Sequence, residues 1–362
     1  MGKRFRVAII GVGAVAQMHA QALAELPQAT LVAGSCRTQA KGKAFSERWG
    51  CAWYADYESM LATEKPDVAC VCTPSGLHLE PVLACARRGV HVLCEKPLEV
   101  DVARAERMIT ACKRGHVTLG GVFPLRFSPV MQAVHEAAVQ GRFGHVASIN
   151  AYVPWWRDDA YYAPERWQGT RELDGGGALI NQAIHMVDVL QWMASATMPY
   201  LARGVNPVEE VFGFTACRGH DPGVLEVEDT AVAAIRFRSG AVGQLLAATS
   251  MFPGTHRRLQ IAGRDGMAEV VEDQLAAWRF REERPGDEET RRRFAQQASS
   301  HGGGADPMAF SHANHTRNLA AFLDAVEHHR KPALDGVESL KALEIVQAVY
   351  QSAETGQPAR VR

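Results

Sequence analysis

The first chemical signal of the sequence is a set of small residues at a fixed spacing near its start. Gly11-Val12-Gly13-Ala14-Val15-Ala16 follows an apolar run and precedes an amphipathic stretch. In such a pattern Gly11 permits a tight turn, Gly13 lets the backbone approach a pyrophosphate, and Ala16 allows close helix–strand packing. A simple packing turn uses the same residues, so the surrounding elements decide its meaning. The candidate phosphate contacts are Gly11, Gly13, Ala14, Val15 and Ala16.

Short apolar runs alternate with amphipathic stretches through the first third of the chain. This pattern predicts strands over 6–10, 29–35, 67–73, 90–94 and 117–122, and helices over 14–25, 39–49, 79–88 and 102–114. Strands that alternate with helices of this length imply βαβ units and a parallel sheet. Open α/β sheets bind ligands at the carboxyl ends of their strands. In this context the glycine turn predicts an N-terminal Rossmann dinucleotide-binding domain over residues 1–124.

The end of the second predicted strand should meet the adenine ribose of the cofactor. An NAD site usually places Asp or Glu there, to accept hydrogen bonds from the ribose hydroxyls. This sequence reads Gly34-Ser35-Cys36-Arg37-Thr38, without an acid. Arg37 could pair with a 2′-phosphate, and the alternative is an exposed arginine at a helix start. Cys36 and Arg37 are therefore candidate cofactor contacts, and they favour NADP(H), with NAD(H) possible.

Beyond Phe123 the alternation gives way to successive strands. They are predicted over 145–153, 211–217, 229–237, 241–251, 258–262 and 267–271. This order favours a mostly antiparallel sheet, and a chain of 362 residues exceeds the usual size of one core. The fold class is therefore α/β, with the Rossmann domain followed by a C-terminal α/β domain, residues 125–362, with a large, open, mostly antiparallel sheet. The densely charged stretch 279–293 is expected to be a solvated excursion.

Charge and cysteine usage argue against several classes of protein. The 39 basic and 40 acidic side chains give a net charge of -1. The chain therefore lacks the basic excess that is typical of proteins that bind nucleic acid or an anionic membrane. No run approaches the ~18 apolar residues of a membrane span. The eight cysteines are scattered, mostly in apolar segments, without the spacing of a metal site. They indicate free thiols in a reducing cytoplasm and no bound metal.

Four further motifs follow the glycine turn in order. They are Thr73-Pro74-Ser75-Gly76-Leu77-His78, Cys94-Glu95-Lys96-Pro97, residues 174–185 (DGGGALINQAIH, continuing through Asp188 to Trp192), and Ser352-Ala353-Glu354-Thr355-Gly356-Gln357-Pro358. With the glycine turn and His19, this set resembles the Gfo/Idh/MocA oxidoreductases, the family of glucose–fructose oxidoreductase and inositol dehydrogenase. The resemblance implies the two-domain fold described above. It also implies a homodimer or homotetramer formed through the open sheet of the C-terminal domain.

The resemblance further implies roles for individual residues. Lys96 corresponds to a lysine beside the nicotinamide and the substrate hydroxyl, and His185 to the histidine of the helix motif. Many members carry an aspartate where this chain has Asn181, which can hydrogen-bond a substrate but cannot take its proton. The other residues expected along the cofactor are Thr73, Pro74, Ser75, His78 and Glu95.

These residue types suit hydride transfer from a secondary alcohol. The hydroxyl loses a proton as hydride leaves its carbon, so a base must reach that oxygen. A lysine partly desolvated beside a positive nicotinamide releases its proton more readily. Asn181 and His185, at i and i+4 of one helix, would point at the same ligand. The structural alternatives are a surface lysine before a proline and a buried core histidine.

Aromatic and basic residues crowd the segment 152–170, before the helix motif. They suit sugar rings and carboxylates or phosphates, although a packed loop or dimer contact would use them equally. Arg157, Tyr161 and Trp167 are the candidate substrate contacts. The sequence thus predicts hydride exchange between the cofactor and a secondary alcohol of a sugar, cyclitol or sugar-derived acid. Reduction of a cyclic diol or imine is one alternative, and a non-catalytic cofactor sensor is another.

Overall fold

Six parallel strands form the sheet of the first of two units in the computed structural model, which describes residues 4–163, 165–221, 223–295 and 312–362. The strands are β1 (Phe5–Ile10), β2 (Ala29–Ser35), β3 (Ala52–Tyr54), β4 (Val68–Val71), β5 (His91–Cys94) and β6 (Leu119–Gly121), in the order β3-β2-β1-β4-β5-β6. The helices between them are α1 (Ala14–Ala24), α2 (Gln39–Trp49), α3 (Tyr57–Glu64), α4 (Leu79–Arg87) and α5 (Val102–Arg114). Every residue of β4 is buried, as expected for a central parallel strand.

Local sequence sets where several of these helices begin and end. Asp56 accepts hydrogen bonds from two backbone N–H groups of the first turn of α3, and Asp101 accepts one from α5. Both are N-caps, which satisfy amides that have no partner inside the helix. Gly50 ends α2 with a φ of 63°, a conformation that glycine adopts at little cost.

Eight strands form the sheet of the second unit, in the order β13-β12-β11-β7-β10-β9-β8-β14. They are β7 (Val146–Pro154), β8 (Val208–Ala216), β9 (Thr230–Phe237), β10 (Val242–Ala248), β11 (Arg258–Gly263), β12 (Gly266–Val271), β13 (Gln274–Phe280) and β14 (Ala359–Arg360). Only the β7–β10 pair is parallel among these strands. A Rossmann sheet followed by a mostly antiparallel sheet confirms the predicted fold class.

The remaining helices are α6 (Pro129–Val139), α7 (Ile184–Ala196), α8 (Asp287–Arg293), α9 (Ala313–Glu327) and α10 (Gly336–Thr355), with a π-helical turn over Ala178–Ala183. Cα packing places Met1–Pro124 and Ser311–Leu340 in the first unit, and Leu125–Phe310 and Lys341–Arg362 in the second. The sequence predicts a single domain over residues 125–362. Residues of α9 instead join the core cluster of the Rossmann sheet, where Leu319, Phe322 and Leu323 are buried.

The charged stretch 279–293 is mostly exposed, as its composition predicts, but it also contains regular secondary structure. Its first two residues belong to β13, and its last seven form α8. The carboxylate of Asp287 accepts hydrogen bonds at 2.6 and 2.7 Å from Arg142, and one at 2.8 Å from the indole of Trp278. Because these partners lie far apart in sequence, charge density alone could not reveal the ordered structure.

Candidate active site

The glycine turn connects β1 to α1 and has the shape of a phosphate cradle. Gly11 has a φ of 92°, and a Cβ on it would lie 2.7 Å from the carbonyl oxygen of Cys72, so only glycine fits. A Cβ on Gly13 would meet nothing within 4 Å outside its chain neighbours. Gly13 caps α1 without a side-chain hydrogen bond, so the first amides of the helix are free to bind an anion. These features fit the pyrophosphate of a dinucleotide.

The segment after β2 lies at the same edge of the sheet. The thiol of Cys36 donates to the carbonyl oxygen of Thr38 at 3.3 Å, and the indole of Trp53 donates to the carbonyl oxygen of Cys36 at 3.2 Å. Arg37 is exposed, and its guanidinium forms no hydrogen bond or ion pair with another described residue. The turn itself is therefore fixed, while the guanidinium is free to meet a ligand.

His78 joins the turn after β4 to the turn after β5. Its ring nitrogens lie 2.9 Å from the carbonyl oxygen of Thr73 and 3.0 Å from that of Pro97. The side chain is fully buried, and burial lowers the pKa of His78. Ser75, in the short 3₁₀ turn between Thr73 and His78, is also buried. His78 thus braces two loops at the carboxyl edge of the sheet, and its contact with cofactor stays a prediction.

Glu95 and Lys96 follow β5 at this edge, and the Lys96–Pro97 peptide is cis. Lys96 is half-buried, whereas Glu95 is buried against His19, whose Nε2 lies 2.7 Å from one carboxylate oxygen. The other oxygen accepts a 3.1 Å hydrogen bond from the backbone N–H of Lys96. Burial opposes the charge of Glu95, yet the hydrogen bond and charge of His19, with the charges of His315 and Lys96, lower the pKa of Glu95 to about 2. The residue before Lys96 is therefore a buried carboxylate.

In the second unit, a buried carboxylate holds the start of the helix motif. Glu228 accepts hydrogen bonds from the backbone N–H groups of Gly177 at 3.0 Å and Leu179 at 2.9 Å, and from the hydroxyl of Tyr350 at 2.8 Å. A Cβ on Gly177 would lie 1.9 Å from the carbonyl oxygen of Glu228, which explains the glycine. These contacts fix the π-helical turn Ala178–Ala183, and such turns are frequent at functional sites.

A hydrogen-bonded chain of side chains surrounds Asn181 in this turn. Its amide nitrogen donates to Asp174 at 2.8 Å, and the amide nitrogen of Gln182 donates to the hydroxyl of Tyr161 at 2.9 Å. Arg157 donates to the side-chain oxygen of Gln182 at 2.9 Å. Three of the predicted residues, Asn181, Tyr161 and Arg157, are therefore brought into one network. Arg157 is buried, and its terminal nitrogens bind the oxygens of Trp156 and Gln182, so within this network it orients Gln182.

His185 and Trp167 complete the predicted set in this unit. His185 is half-buried in α7, one turn after Asn181. The helix expected to carry both residues is therefore a π-helical turn that continues as an α-helix. Trp167 is also half-buried, and its carbonyl oxygen accepts a 2.7 Å hydrogen bond from the hydroxyl of Thr170. Nothing in these contacts assigns either side chain to a ligand.

Two further kinds of feature are absent from the parts of the chain that the structure describes. Among those residues, no helix has the length and hydrophobicity needed to cross a bilayer. Nor do any three His, Cys, Asp or Glu side chains described there cluster in a way that could hold a metal ion.

Comparison with known families decides what kind of protein carries these features. Residues 5–122 match the Gfo/Idh/MocA model described as an oxidoreductase family with an NAD-binding Rossmann fold. Residues 136–361 match the model of that family's C-terminal α/β domain. The chain belongs to the Gfo/Idh/MocA oxidoreductase family. The resemblance inferred from the five motifs is confirmed, and the protein is a nicotinamide-dependent oxidoreductase.

Several members of the family are similar over most of the chain. The myo-inositol 2-dehydrogenase of Thermotoga maritima is 29% identical over 72% of this chain and 73% of its own length. The D-glucoside 3-dehydrogenase of Escherichia coli is 27% identical over 97% of this chain and 96% of its own. The WlbA dehydrogenase of Bordetella pertussis, solved with NADH and UDP-GlcNAcA, is 29% identical, with a TM-score of 0.87 over 99% of this chain and 98% of its own.

Several residues that shape these sites have roles that were not predicted from the sequence. Glu228 lies 51 residues from the Gly177 amide that it binds, and Tyr350 lies 122 residues from Glu228. Gln182 stands inside the quoted helix motif, but its contacts with Tyr161 and Arg157 depend on the fold of the preceding segment. Glu228 stands among other acids, Glu226 and Asp229, so its letter alone does not mark it.

Proposed function

We propose that this oxidoreductase transfers hydride between a nicotinamide cofactor and a secondary alcohol of a sugar, cyclitol or sugar-derived acid. The observation that carries the proposal is the position of Lys96. It follows β5 at the same carboxyl edge of the parallel sheet at which the glycine turn follows β1. The cradle at Gly13 is open, as a dinucleotide requires, so the first unit has a place for the cofactor and a lysine at that edge.

Different residues of the chain have different roles in the reaction. The glycine turn at Gly11 and Gly13 would hold the cofactor, whose nicotinamide would supply the hydride acceptor or donor. Lys96 takes the proton from the substrate hydroxyl during oxidation and returns it during reduction. His185 is a second group that can exchange a proton, whereas Asn181 hydrogen-bonds substrate without exchanging a proton. Asp174 and Gln182 hold the side chain of Asn181 in place.

The polar network around Asn181 supports a hydroxyl-rich substrate. Amide and phenol groups can both donate and accept hydrogen bonds, as sugar hydroxyls do. Tyr161 and Trp167 offer aromatic surface of the kind that packs on sugar rings. The relatives named above act on inositol and glucosides, and WlbA is bound to a nucleotide sugar acid. Arg157 acts on the substrate through Gln182, whose side-chain oxygen accepts its hydrogen bond.

We infer that NADP(H) is preferred to NAD(H). The support is the lack of a carboxylate between Ser35 and Thr38, at the end of β2, and the exposed guanidinium of Arg37. A 2′-phosphate there meets no negative side chain in this segment and can accept a charge-assisted hydrogen bond from Arg37. The WlbA structure, by contrast, holds NADH.

We also propose that the protein forms a homodimer or homotetramer through the open sheet of the second unit. Phe214, Val232 and Val242 are 63%, 44% and 57% exposed on strands of that sheet. Large apolar side chains exposed close together are typical of interaction surfaces. Phe214→Glu should lower the mass measured by light scattering, while an unchanged mass would contradict this interface.

All eight cysteines are free thiols. Seven of them lie in the first unit, and burial raises the pKa values of Cys72, Cys85, Cys94 and Cys112, so these thiols stay protonated. Free thiols persist in reducing compartments. We therefore propose a cytoplasmic location, which fractionation of cells expressing the tagged protein would test.

The test of the proposed reaction is the absorbance of the reduced nicotinamide. The purified protein is mixed with NADP⁺ or NAD⁺ and a panel of sugars, cyclitols, uronic acids and nucleotide sugars. We expect the wild-type protein to oxidise at least one compound of this panel. We expect Lys96→Ala to lose that activity. Binding of cofactor without turnover of any panel member, together with turnover of cyclic diols or imines, would reject the proposed substrate class.

A further inference from the structure

His19 and Glu95 form a buried pair of oppositely charged side chains in the first unit. Their side chains are only 3% and 7% exposed, and Nε2 of His19 lies 2.7 Å from Oε1 of Glu95. The second oxygen, Oε2, accepts the hydrogen bond from the backbone N–H of Lys96. The carboxylate therefore lies between the imidazole of His19 and the backbone of Lys96.

The titratable groups that face this pair come from every element packed on it. They are Cys70 and Cys72 at the end of β4, His78 before α4, Cys94 in β5, Lys96 after β5, and His315 in α9. Burial raises the pKa of Cys72 to about 11 and that of Cys94 well above its ordinary value. Burial also lowers the pKa of His78, and that of His315 to about 4. These four groups are therefore neutral at neutral pH.

The remaining charges of the cluster are those of His19, Glu95 and Lys96. Burial opposes the imidazolium of His19, yet its hydrogen bonds to Cys70, Cys72 and the carboxylate of Glu95 raise the pKa of His19 well above its ordinary value. The pair is thus a buried dipole whose negative end is directed at Lys96. A carboxylate at that end favours the charged ammonium of a nearby lysine, and a cation behind it weakens the effect.

We propose that His19 and Glu95 are positioning residues for Lys96: the carboxylate holds its backbone and favours its ammonium form, and His19 keeps the carboxylate charged. The inference rests on the proposed acid–base role of Lys96. It adds that the pH at which Lys96 exchanges its proton is set by a pair buried behind it. Neither His19 nor Glu95 needs to touch the substrate for this effect.

The experiment measures the titration of Lys96 without substrate. Protein equilibrated over a range of pH is labelled briefly with acetic anhydride, and the fraction of acetylated Lys96 is measured by mass spectrometry relative to exposed Lys65. Glu95→Gln and His19→Gln each remove one charge while keeping a hydrogen-bonding side chain of similar size. His315→Gln is the matched control, because it replaces a neutral histidine of the same cluster.

The two charge-removing variants should move the labelling midpoint of Lys96 in opposite directions. Glu95→Gln should lower it by about one pH unit or more, because one unit corresponds to ~1.4 kcal/mol and a close charge supplies at least that. His19→Gln should raise it, and His315→Gln should leave it unchanged. Shifts in the same direction, or no shift in either variant, would overturn the inference.

Two further measurements keep the test decisive. If a variant does not fold, ¹⁵N-histidine spectra of the wild-type protein should show an imidazolium signal that persists well above pH ~7, and the lack of any such signal would overturn the inference. Turnover by Lys96→Ala tests the proposed function separately. Opposite shifts with full turnover of Lys96→Ala would reject the acid–base role of Lys96 while the electrostatic effect of the pair stands.

Discussion

The side-chain amide of Asn181 donates a 2.8 Å hydrogen bond to the fully buried carboxylate of Asp174. The other oxygen of Asp174 accepts from the backbone N–H of Gly169 at 2.9 Å. Because a carboxylate already lies here, an aspartate at position 181 would bring two acids into contact and disfavour the ionisation of both. This contact gives a physical reason for asparagine, rather than aspartate, at position 181.

His185 and Asn181 should have separable effects on kinetics. His185→Ala should lower turnover and flatten one limb of the pH–rate profile, because an imidazole can exchange a proton and an amide cannot. Asn181→Ala should mainly raise KM, as expected for lost substrate binding, and should cost about 1–3 kcal/mol of stability because Asp174 loses a partner. Steady-state kinetics measured across pH distinguish these two effects. Identical pH profiles for the two variants would refute the different roles given to His185 and Asn181.

Cofactor preference should depend on the segment after β2. Arg37→Ala should weaken NADP(H) by about 10- to 100-fold, the value of a charge-assisted hydrogen bond, and leave NAD(H) nearly unchanged. Cys36→Asp should shift preference toward NAD(H), since a carboxylate repels the 2′-phosphate and accepts from ribose hydroxyls. The measurement is kcat/KM with both cofactors. A wild-type preference for NAD(H), with no effect of Arg37→Ala, would remove the NADP(H) assignment.

The buried ion pair of Arg126 and Asp188 should be important for stability. Two hydrogen bonds of 2.7 and 2.6 Å join them, and their side chains are 6% and 0% exposed. Asp188→Asn should cost about 3–5 kcal/mol, because it leaves a buried guanidinium without its counter-charge. Urea unfolding measures this loss. The control is Glu210→Gln in the exposed pair with Arg236, where a change of at most ~1 kcal/mol is expected; equal losses would contradict the account.

The stability contributed by His19 and Glu95 should be greatest in a defined pH window. The pKa of Glu95 falls from 4.5 to about 2 on folding, so its contribution is present above pH 4.5 and is lost as pH falls toward 2. The pKa of His19 is raised above 6.5, so its contribution is present below pH 6.5 and is lost as pH rises through the raised value. Wild type and Glu95→Gln should therefore differ most between pH 4.5 and 6.5. Chemical unfolding across pH measures this, and a difference that grows above pH ~9 would contradict it.

The parts of the fold that the sequence predicted are those with local signals. The strand predicted over 29–35 matches β2, and the glycine turn lies where its spacing placed it. By contrast β3 is three residues long, too short for a periodic pattern, and it forms through pairing with β2. The helix α8 depends on Arg142, which lies 145 residues before Asp287.

The same distinction holds for the candidate site. Gly11, Lys96 and Asn181 stand in motifs that can be read from a few adjacent residues. The pairing of His19 with Glu95 joins residues 76 positions apart, and that of Glu228 with Gly177 joins residues 51 apart. No periodicity or local motif encodes such pairs, because they depend on how strands and turns meet in the folded chain.

The most direct test of the proposed reaction is to measure both the turnover of Lys96→Ala and its affinity for the cofactor. Loss of general acid–base help should reduce kcat by about 10²- to 10⁴-fold. The Kd for NADP(H), measured by fluorescence, should change far less, because the turn at Gly11 and Gly13 carries much of that binding. A correctly folded Lys96→Ala protein that binds cofactor and turns over at the wild-type rate would contradict the central role given to this lysine.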